Sequence, residues 1–174
     1  MKISIDGNFK EVERAIAGLP SKIVTPAMIQ SINRTSTRAT SKGRRAIRNV
    51  TGIKLKATKS RVHRSTKKTT KKNLERKIFV RTLFDAPYSK AFNKSEIKKS
   101  SSLNRRSFTA TMKSGKFSRW QRVGKERLPI EELKVPLHPQ GTKAAEKAIK
   151  NTVQQMFVKE LSRSINLKLS KMKR

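Results

Sequence analysis

The chain carries a long run of cations with no acid to balance them. Residues 14–74 contain seventeen Lys or Arg and no Asp or Glu. The whole chain has 44 Lys+Arg against 11 Asp+Glu, a formal net charge of +33, which is far more than solubility requires. Such a run predicts a polyanionic partner, either the phosphates of a nucleic acid or an acidic protein wall. The alternative, an ordinary solvated face, is weakened by the missing acids.

The candidate polyanion-binding residues are the cations in the later part of this run. They are Arg38, Lys42, Arg44, Arg45, Arg48, Lys54, Lys56, Lys59, Arg61, Arg64, Lys67, Lys68, Lys71 and Lys72. Phe, Tyr and Trp, which would stack on unpaired bases, are absent from residues 10 to 78, so binding without sequence readout is expected. Trp120 has arginines beside it, but a lone Trp on a short strand more often anchors a core.

The residues needed for catalysis or metal binding are scarce. The chain has no Cys, which excludes disulfides, thiolate zinc sites and cysteine nucleophiles. Neither His63 nor His138 has a second ligand at metal spacing. Glu131 and Glu132 are adjacent and point to different faces, which favours a solvated turn over a general acid/base pair. We therefore expect no enzyme activity, no metal and no cofactor.

Short strands are predicted in the second half of the chain. Residues 78–83 are rich in β-forming side chains, and residues 108–112 and 119–123 are two further strand candidates. The connection Lys113-Ser114-Gly115-Lys116 lacks the glycine spacing and following helix of a phosphate-binding loop, so a hairpin turn is expected. The prolines within residues 128–137 suit a sheet edge or an extended segment.

Helical periodicity is clearest in two long segments that follow a shorter one at residues 8–19. The first long helix is predicted to begin at Thr25, with Pro26 in the first helical position, and to extend to about residue 50. Small residues at Ala39 and Gly43 on its apolar stripe would permit close approach of another element. The second is predicted to begin at Thr142 and to present an apolar face through residue 169.

These elements predict a single α+β domain over residues 1–174. It would contain a short N-terminal strand at residues 2–6, two helices, a small mostly antiparallel sheet and a long C-terminal amphipathic helix. Residues 53–77 would form a basic arm or loop, and residues 89–106 a polar loop. No apolar stretch approaches the length needed to span a bilayer, and the N-terminus lacks the apolar region of a signal peptide. We expect a soluble protein used without export.

Residues 119–137, RWQRVGKERLPIEELKVPL, resemble the tailed-phage minor tail protein Z, or tail completion, family. The RLPI phrase followed by KVP is the most recognisable part, and the predicted order of elements agrees with it. The residues of this family signature are Trp120, Arg127, Leu128, Pro129, Ile130, Val135 and Pro136. The resemblance implies a structural role for them.

The resemblance implies a non-enzymatic virion protein at the head-proximal end of the tail, in the neck, made in the host cytoplasm. It would assist head–tail joining and placement of the DNA end. Implied partners are neighbouring tail and head–tail connector proteins, such as the tail terminator and the end of the tape measure, and double-stranded DNA bound without sequence preference. No contact with a membrane is expected.

A homo-oligomeric ring, taken as a hexamer, would concentrate positive potential around the DNA. The rival interpretation is a sequence-independent nucleic-acid-binding protein of the cell, of ribosomal or nucleoid type. The amino-acid composition of this chain alone fits such a cellular protein well. The RLPI phrase and the long amphipathic helix favour the phage protein.

Overall fold

The structure is a computed structural model that describes residues 16–67, 69–81, 85–99, 107–124 and 129–172. The helices are α1 (Ser21–Thr51), α2 (Leu55–Thr58), α3 (Tyr88–Ala91), α4 (Lys94–Lys99) and α5 (Gln140–Met172). The strands are β1 (Val62–Arg64), β2 (Ile78–Val80), β3 (Ala86–Pro87), β4 (Ser107–Thr111), β5 (Phe117–Arg122), β6 (Ile130–Glu132) and β7 (Lys134–Val135).

The α+β class and the long C-terminal helix are confirmed. The predicted N-terminal strand and most of the first short helix lie outside the described residues.

The two long helices, α1 and α5, pack against each other along most of their length. Ser31 of α1 lies against Ser164, with 3.3 Å between their hydroxyl oxygens. Toward the other end of α1, Gly43 lies against Ile149. Residue numbers rise along one helix as they fall along the other, so the helices run antiparallel. The close approach predicted at Ala39 and Gly43 is confirmed, since both are buried.

Helix α1 begins at Ser21, five residues before the predicted first helical residue, Pro26, so the prediction of Thr25 as its N-cap is wrong. The carbonyl of Pro20 accepts hydrogen bonds from the N–H groups of Ile23 at 2.9 Å and Val24 at 3.2 Å. The added turn buries Ile23. Pro26 therefore lies inside the helix. Because proline has no N–H, the carbonyl four residues earlier, that of Lys22, receives no helical hydrogen bond from it.

Helix α5 also begins earlier than predicted, at Gln140 rather than after a cap at Thr142. The N–H of Gly141 donates to the carbonyl of Leu137 at 2.9 Å. A Cβ on Gly141 would lie 3.4 Å from Thr51 Cγ2, so the first turn of α5 packs on the last turn of α1. Packing of this turn explains the earlier start.

The strands form three small antiparallel sheets. Strand β1 pairs with β2, β3 pairs with β7, and β4, β5 and β6 form a three-stranded sheet in that order. The predicted hairpin between β4 and β5 is confirmed: the N–H of Met112 donates to the carbonyl of Lys116 at 3.1 Å. Gly115 in this turn has a φ of +74°, which favours glycine. Strand β6 lies at an edge of its sheet, as its proline neighbour predicts.

The main hydrophobic core lies where α1 and α5 meet the β1–β2 hairpin. It is aliphatic, with Ile47, Val62, Val80 and Ile149 among its buried members. The predicted polar loop contains α3 and α4 in its first part, because Ala91 and Ile97 are buried and hold these turns in place. Among the helices in the described ranges, none is long and apolar enough to cross a membrane.

Glu132 joins the three-stranded sheet to α3. Its Oε1 accepts hydrogen bonds from the Ser118 hydroxyl at 2.6 Å and the Ser89 N–H at 3.1 Å, and its Oε2 pairs with Lys116. Burial alone would raise the pKa of Glu132, but these bonds outweigh it and lower the pKa from 4.5 to about 2. The sequence interpretation of a solvated turn at Glu131 and Glu132 is wrong, because both belong to β6.

The lowered pKa of Glu132 predicts acid-dependent stability. The contribution is fully present above the unfolded-state pKa, near 4.5, and is lost as the pH falls toward about 2. We therefore expect the melting temperature of the wild type to fall more steeply over this range than that of Glu132→Gln, which cannot titrate. Glu131→Gln, at the exposed neighbour, is the matched control and should follow the wild type. Parallel curves for wild type and Glu132→Gln would contradict the assignment.

Candidate polyanion-binding surface

One side of helix α1 exposes a row of cations. Arg38, Lys42, Arg45 and Arg48 are spaced by four, three and three residues, which places them along the same side of an α-helix. All four are exposed. From Arg38 to Arg48 the row is about 15 Å long, at 1.5 Å per residue. One strand of a duplex presents a phosphate about every 3.4 Å of axis, so the length of the row matches about four phosphates.

The loop between β1 and β2 is anchored next to this helix. The Thr69 hydroxyl lies 3.3 Å from Asn33 Oδ1 of α1 and 3.3 Å from the carbonyl of Glu75. Within the loop, Arg76 Nη1 donates to the carbonyl of Lys67 at 2.7 Å. Thr69 is buried, whereas Lys67, Lys71 and Lys72 are exposed. The hydrogen bonds of Thr69 and Arg76 therefore hold the described part of the loop, with these three lysines, beside α1.

Several predicted polyanion contacts instead bond to the protein itself. Arg44 Nε donates to the carbonyl of Val62 at 2.8 Å, and Arg64 Nη1 donates to Thr37 Oγ1 at 2.5 Å. Both bonds tie β1 to α1. These arginines hold the hairpin on the helix, which reduces their availability to an outside anion.

Two further predicted contacts lie near α3 and β3. Lys54 Nζ donates to the carbonyl of Phe92 at 3.2 Å, and Arg61 Nη2 donates to the carbonyl of Asp85 at 3.4 Å. Lys54 and Arg61 are partly buried. Their role is at least partly to connect the chain after α1 to the elements that follow it.

The remaining described candidates are exposed. They are Lys42, Arg45, Arg48, Lys56, Lys59, Lys67, Lys71 and Lys72, which we call the basic surface. Lys68 lies outside the described residues. The structure thus separates the run of cations into an exposed set and a set that also stabilises the fold, a distinction that the sequence does not make.

Arg38 is exposed but is left out of the basic surface, because it also forms an ion pair within the fold. Its Nη1 lies 2.5 Å from Glu160 Oε1, and Arg34 Nη1 lies 3.7 Å from Glu160 Oε2. The Glu160 side chain is 4% exposed, whereas those of Arg34 and Arg38 are 40% and 47% exposed. Glu160 could not be recognised from the sequence as a buried acid, because it lies among the apolar positions of α5. Its partners are 122 to 126 positions away in the sequence.

The proposed family-signature residues hold the end of the three-stranded sheet. Trp120 is half-buried on β5, and its indole Nε1 donates to the carbonyl of Ala110 at 3.0 Å. Pro129 precedes β6, and its carbonyl accepts the N–H of Val123 at 3.1 Å. Ile130 opens β6 and is half-buried. Arg127 and Leu128 lie outside the described residues.

The second half of the signature connects two sheets to the core. Val135 on β7 pairs with Ala86 of β3, and Pro136 follows at an exposed position. The next residue, Leu137, is buried in the main core. A feature that sequence reasoning missed is Arg119, which is 1% exposed and whose Nε donates to Ser107 Oγ at 2.8 Å.

Cations are the chemical groups that the described residues expose on this side of the molecule. Across the described ranges, no three His, Asp or Glu side chains come together in a way that could hold a metal ion. The carboxylates of Glu132 and Glu160 both pair with cations of the same chain. What the arrangement can do chemically is attract and hold an anionic surface.

The chain matches a known protein family. The family model of the prophage minor tail protein Z matches residues 9–174. No curated protein and no solved structure matches the chain significantly. The match covers nearly the whole chain, including both long helices and all three sheets. The chain therefore belongs to the prophage minor tail protein Z family and is a structural component of a phage tail.

Proposed function

We propose that this tail protein acts in the neck, at the head-proximal end of the tail, where it assists head–tail joining and holds the DNA end. Family membership supports a tail protein that contacts other virion proteins. The observation that carries the finer proposal is the basic surface, which exposes cations from α1, α2 and the β1–β2 loop. DNA bound through phosphates alone needs such a surface and no base-reading groups.

The charge distribution supports a polyanion at this surface in the assembled particle. A formal net charge of +33 on 174 residues opposes assembly of several copies unless counter-charge is present. In the proposed arrangement, copies of the chain form a ring, and the DNA end supplies that counter-charge at the centre. The row on α1 then faces the DNA, and α5 supports it from behind.

The test is charge reversal on the basic surface. Lys42→Glu/Arg45→Glu changes two exposed cations spaced by three residues, and Lys147→Glu/Lys150→Glu on α5 is the control with the same spacing and charge change. The first variant is expected to bind blunt duplex DNA about tenfold more weakly at physiological salt and to lower the salt slope by about 2. The control should change affinity less than about threefold.

The same two variants test the role in assembly. Heads and tails from particles that lack this protein are mixed with wild-type or variant protein, and joined particles are counted by electron microscopy. We expect the wild type and the α5 control to restore joining and Lys42→Glu/Arg45→Glu to fail. Full joining by Lys42→Glu/Arg45→Glu would overturn the proposal. Equal losses of DNA affinity in this variant and in the α5 control would also overturn it.

A further inference from the structure

The β1–β2 hairpin has two different faces. Val62 pairs with Val80, and both side chains are buried in the core. The next pair, His63 and Phe79, lies on the opposite face because side chains alternate along a strand. Their rings stack, with centroids 5.3 Å apart and planes inclined by 25°. Phe79 is 39% exposed, so the stacked rings form an outward-facing apolar surface.

Cations flank these rings on the same face. Backbone hydrogen bonds extend the register by one pair at each end: Arg81 N–H donates to the Arg61 carbonyl at 2.9 Å, and Ser65 N–H donates to the Lys77 carbonyl at 2.8 Å. Alternation then places Arg61, Arg81 and Lys77 on the face of the rings. We call His63, Phe79, Arg61, Arg81 and Lys77 the stacking platform. The sequence hides it because its two halves are about sixteen positions apart.

The electrostatics at one end of the platform favour an added anion. Burial lowers the pKa of Arg61, the neighbouring charge of Arg81 lowers it further, and Asp85 opposes the shift. Because Arg61 and Arg81 are paired across the two strands, two like charges are on the same face at this end of the platform and repel each other. A phosphate bound there would relieve that repulsion and could accept hydrogen bonds from both groups.

We propose that the stacking platform binds unpaired nucleotides of single-stranded DNA, with a base on the rings of Phe79 and His63 and a phosphate at Arg61 and Arg81. Stacked aromatics beside cations are the combination that single-stranded nucleic acids require. A second copy of this chain fits poorly on the platform itself, because its positive charge would face Arg61, Arg81 and Lys77 without counter-charge between them. The inference rests on the proposed contact with DNA and deepens it, since unpaired bases occur in a duplex chiefly at its ends.

The experiment measures binding by fluorescence anisotropy with three labelled probes: a short oligo-dT strand, an abasic strand of the same length, and a blunt duplex. The test variant is Phe79→Leu, which removes the aromatic ring and retains apolar bulk. We expect oligo-dT affinity to fall about tenfold, equivalent to about 1.4 kcal/mol, because the base loses the aromatic ring on which it stacks. Abasic-strand and duplex affinities should stay within about twofold, because the phosphate contacts are retained.

Phe108→Leu is the matched control. Phe108 lies on β4 with the Arg122 guanidinium carbon 5.9 Å from its ring, so it is also an aromatic residue beside a cation. Its replacement should leave oligo-dT affinity unchanged, and both variants should retain the wild-type circular dichroism spectrum. Equal oligo-dT affinity for wild type and Phe79→Leu, or equal losses with oligo-dT and the abasic strand, would overturn the proposal.

Two further readouts separate the alternatives. An RNA strand of the same length that binds more tightly than oligo-dT would overturn the assignment to DNA. If Phe79→Leu changes the oligomeric state and leaves oligo-dT affinity unchanged, the proposal of DNA binding is overturned, and the stacking platform is a contact between protein subunits instead. Duplex binding by the Lys42→Glu/Arg45→Glu variant remains the separate test of the proposed function, so failure of one proposal is distinguishable from failure of the other.

Discussion

Gly43→Val is expected to destabilise the protein by about 3 kcal/mol, the cost of forcing extra atoms into a packed core. A Cβ at this position would lie 2.9 Å from both Cδ1 and Cγ1 of Ile149. Ile149 is 1% exposed and belongs to the main core, so it cannot move aside without opening the contact between α1 and α5. Valine adds two further methyl groups on the same side. The measurement is the free energy of unfolding by urea denaturation.

A pair of alanine variants controls for helix propensity. Alanine stabilises a helix relative to glycine by about 1 kcal/mol, so Gly141→Ala, where the new Cβ meets Thr51 at 3.4 Å, should be neutral or stabilising. Gly43→Ala gains the same propensity but meets Ile149, and it should be less stable than Gly141→Ala. If both alanine variants are equally stable, the two helices are not packed as closely at Gly43 as described.

Arg34→Gln/Arg38→Gln is the second substitution with a large expected effect, a loss of about 3 kcal/mol. It leaves the Glu160 carboxylate, 4% exposed, without the two guanidinium groups that lie 3.7 and 2.5 Å from it. A buried carboxylate that loses its partners retains the cost of its lost hydration. Glu160→Gln should cost less, because water can reach the half-exposed arginines that it leaves behind.

The control for this second prediction changes the same net charge on the same helix. Lys42→Gln/Arg45→Gln neutralises two exposed cations and should alter stability by no more than about 0.5 kcal/mol. Thermal and urea unfolding of both double variants give the comparison. Both double variants remove two positive charges. Equal stability of the two variants would therefore show that the ion pairs of Glu160 do not stabilise the protein.

Patterns that depend on local spacing predict much of this fold. The apolar periodicity indicates both long helices, and alternation with a glycine turn indicates the β4–β5 hairpin, because near neighbours in the chain produce these signals. The predicted starts of α1 and α5 lie a few residues too late in the chain. The first turns of these helices are stabilised by packing of Ile23 and Gly141 against distant parts of the chain, and a search for capping residues such as Thr25 cannot detect that packing.

The candidate site is predictable in its charge and only partly in its geometry. A run of cations without acids predicts a polyanion-binding region within residues 14–74. Sequence alone cannot tell that Arg44 and Arg64 hold the hairpin on α1 while Lys42 and Arg45 are exposed, because the acceptors are a backbone carbonyl and a hydroxyl distant in the chain. The His63–Phe79 stack is hidden for the same reason.

The most direct test of the central claim is a cryo-electron microscopy reconstruction of the head–tail junction in intact particles. We expect a ring of this chain at the head-proximal end of the tail, with the exposed side of α1 facing the DNA and Lys42 and Arg45 within reach of its phosphates. Placement of the chain at the distal end of the tail, or a ring in which α1 faces away from the DNA, would contradict the account.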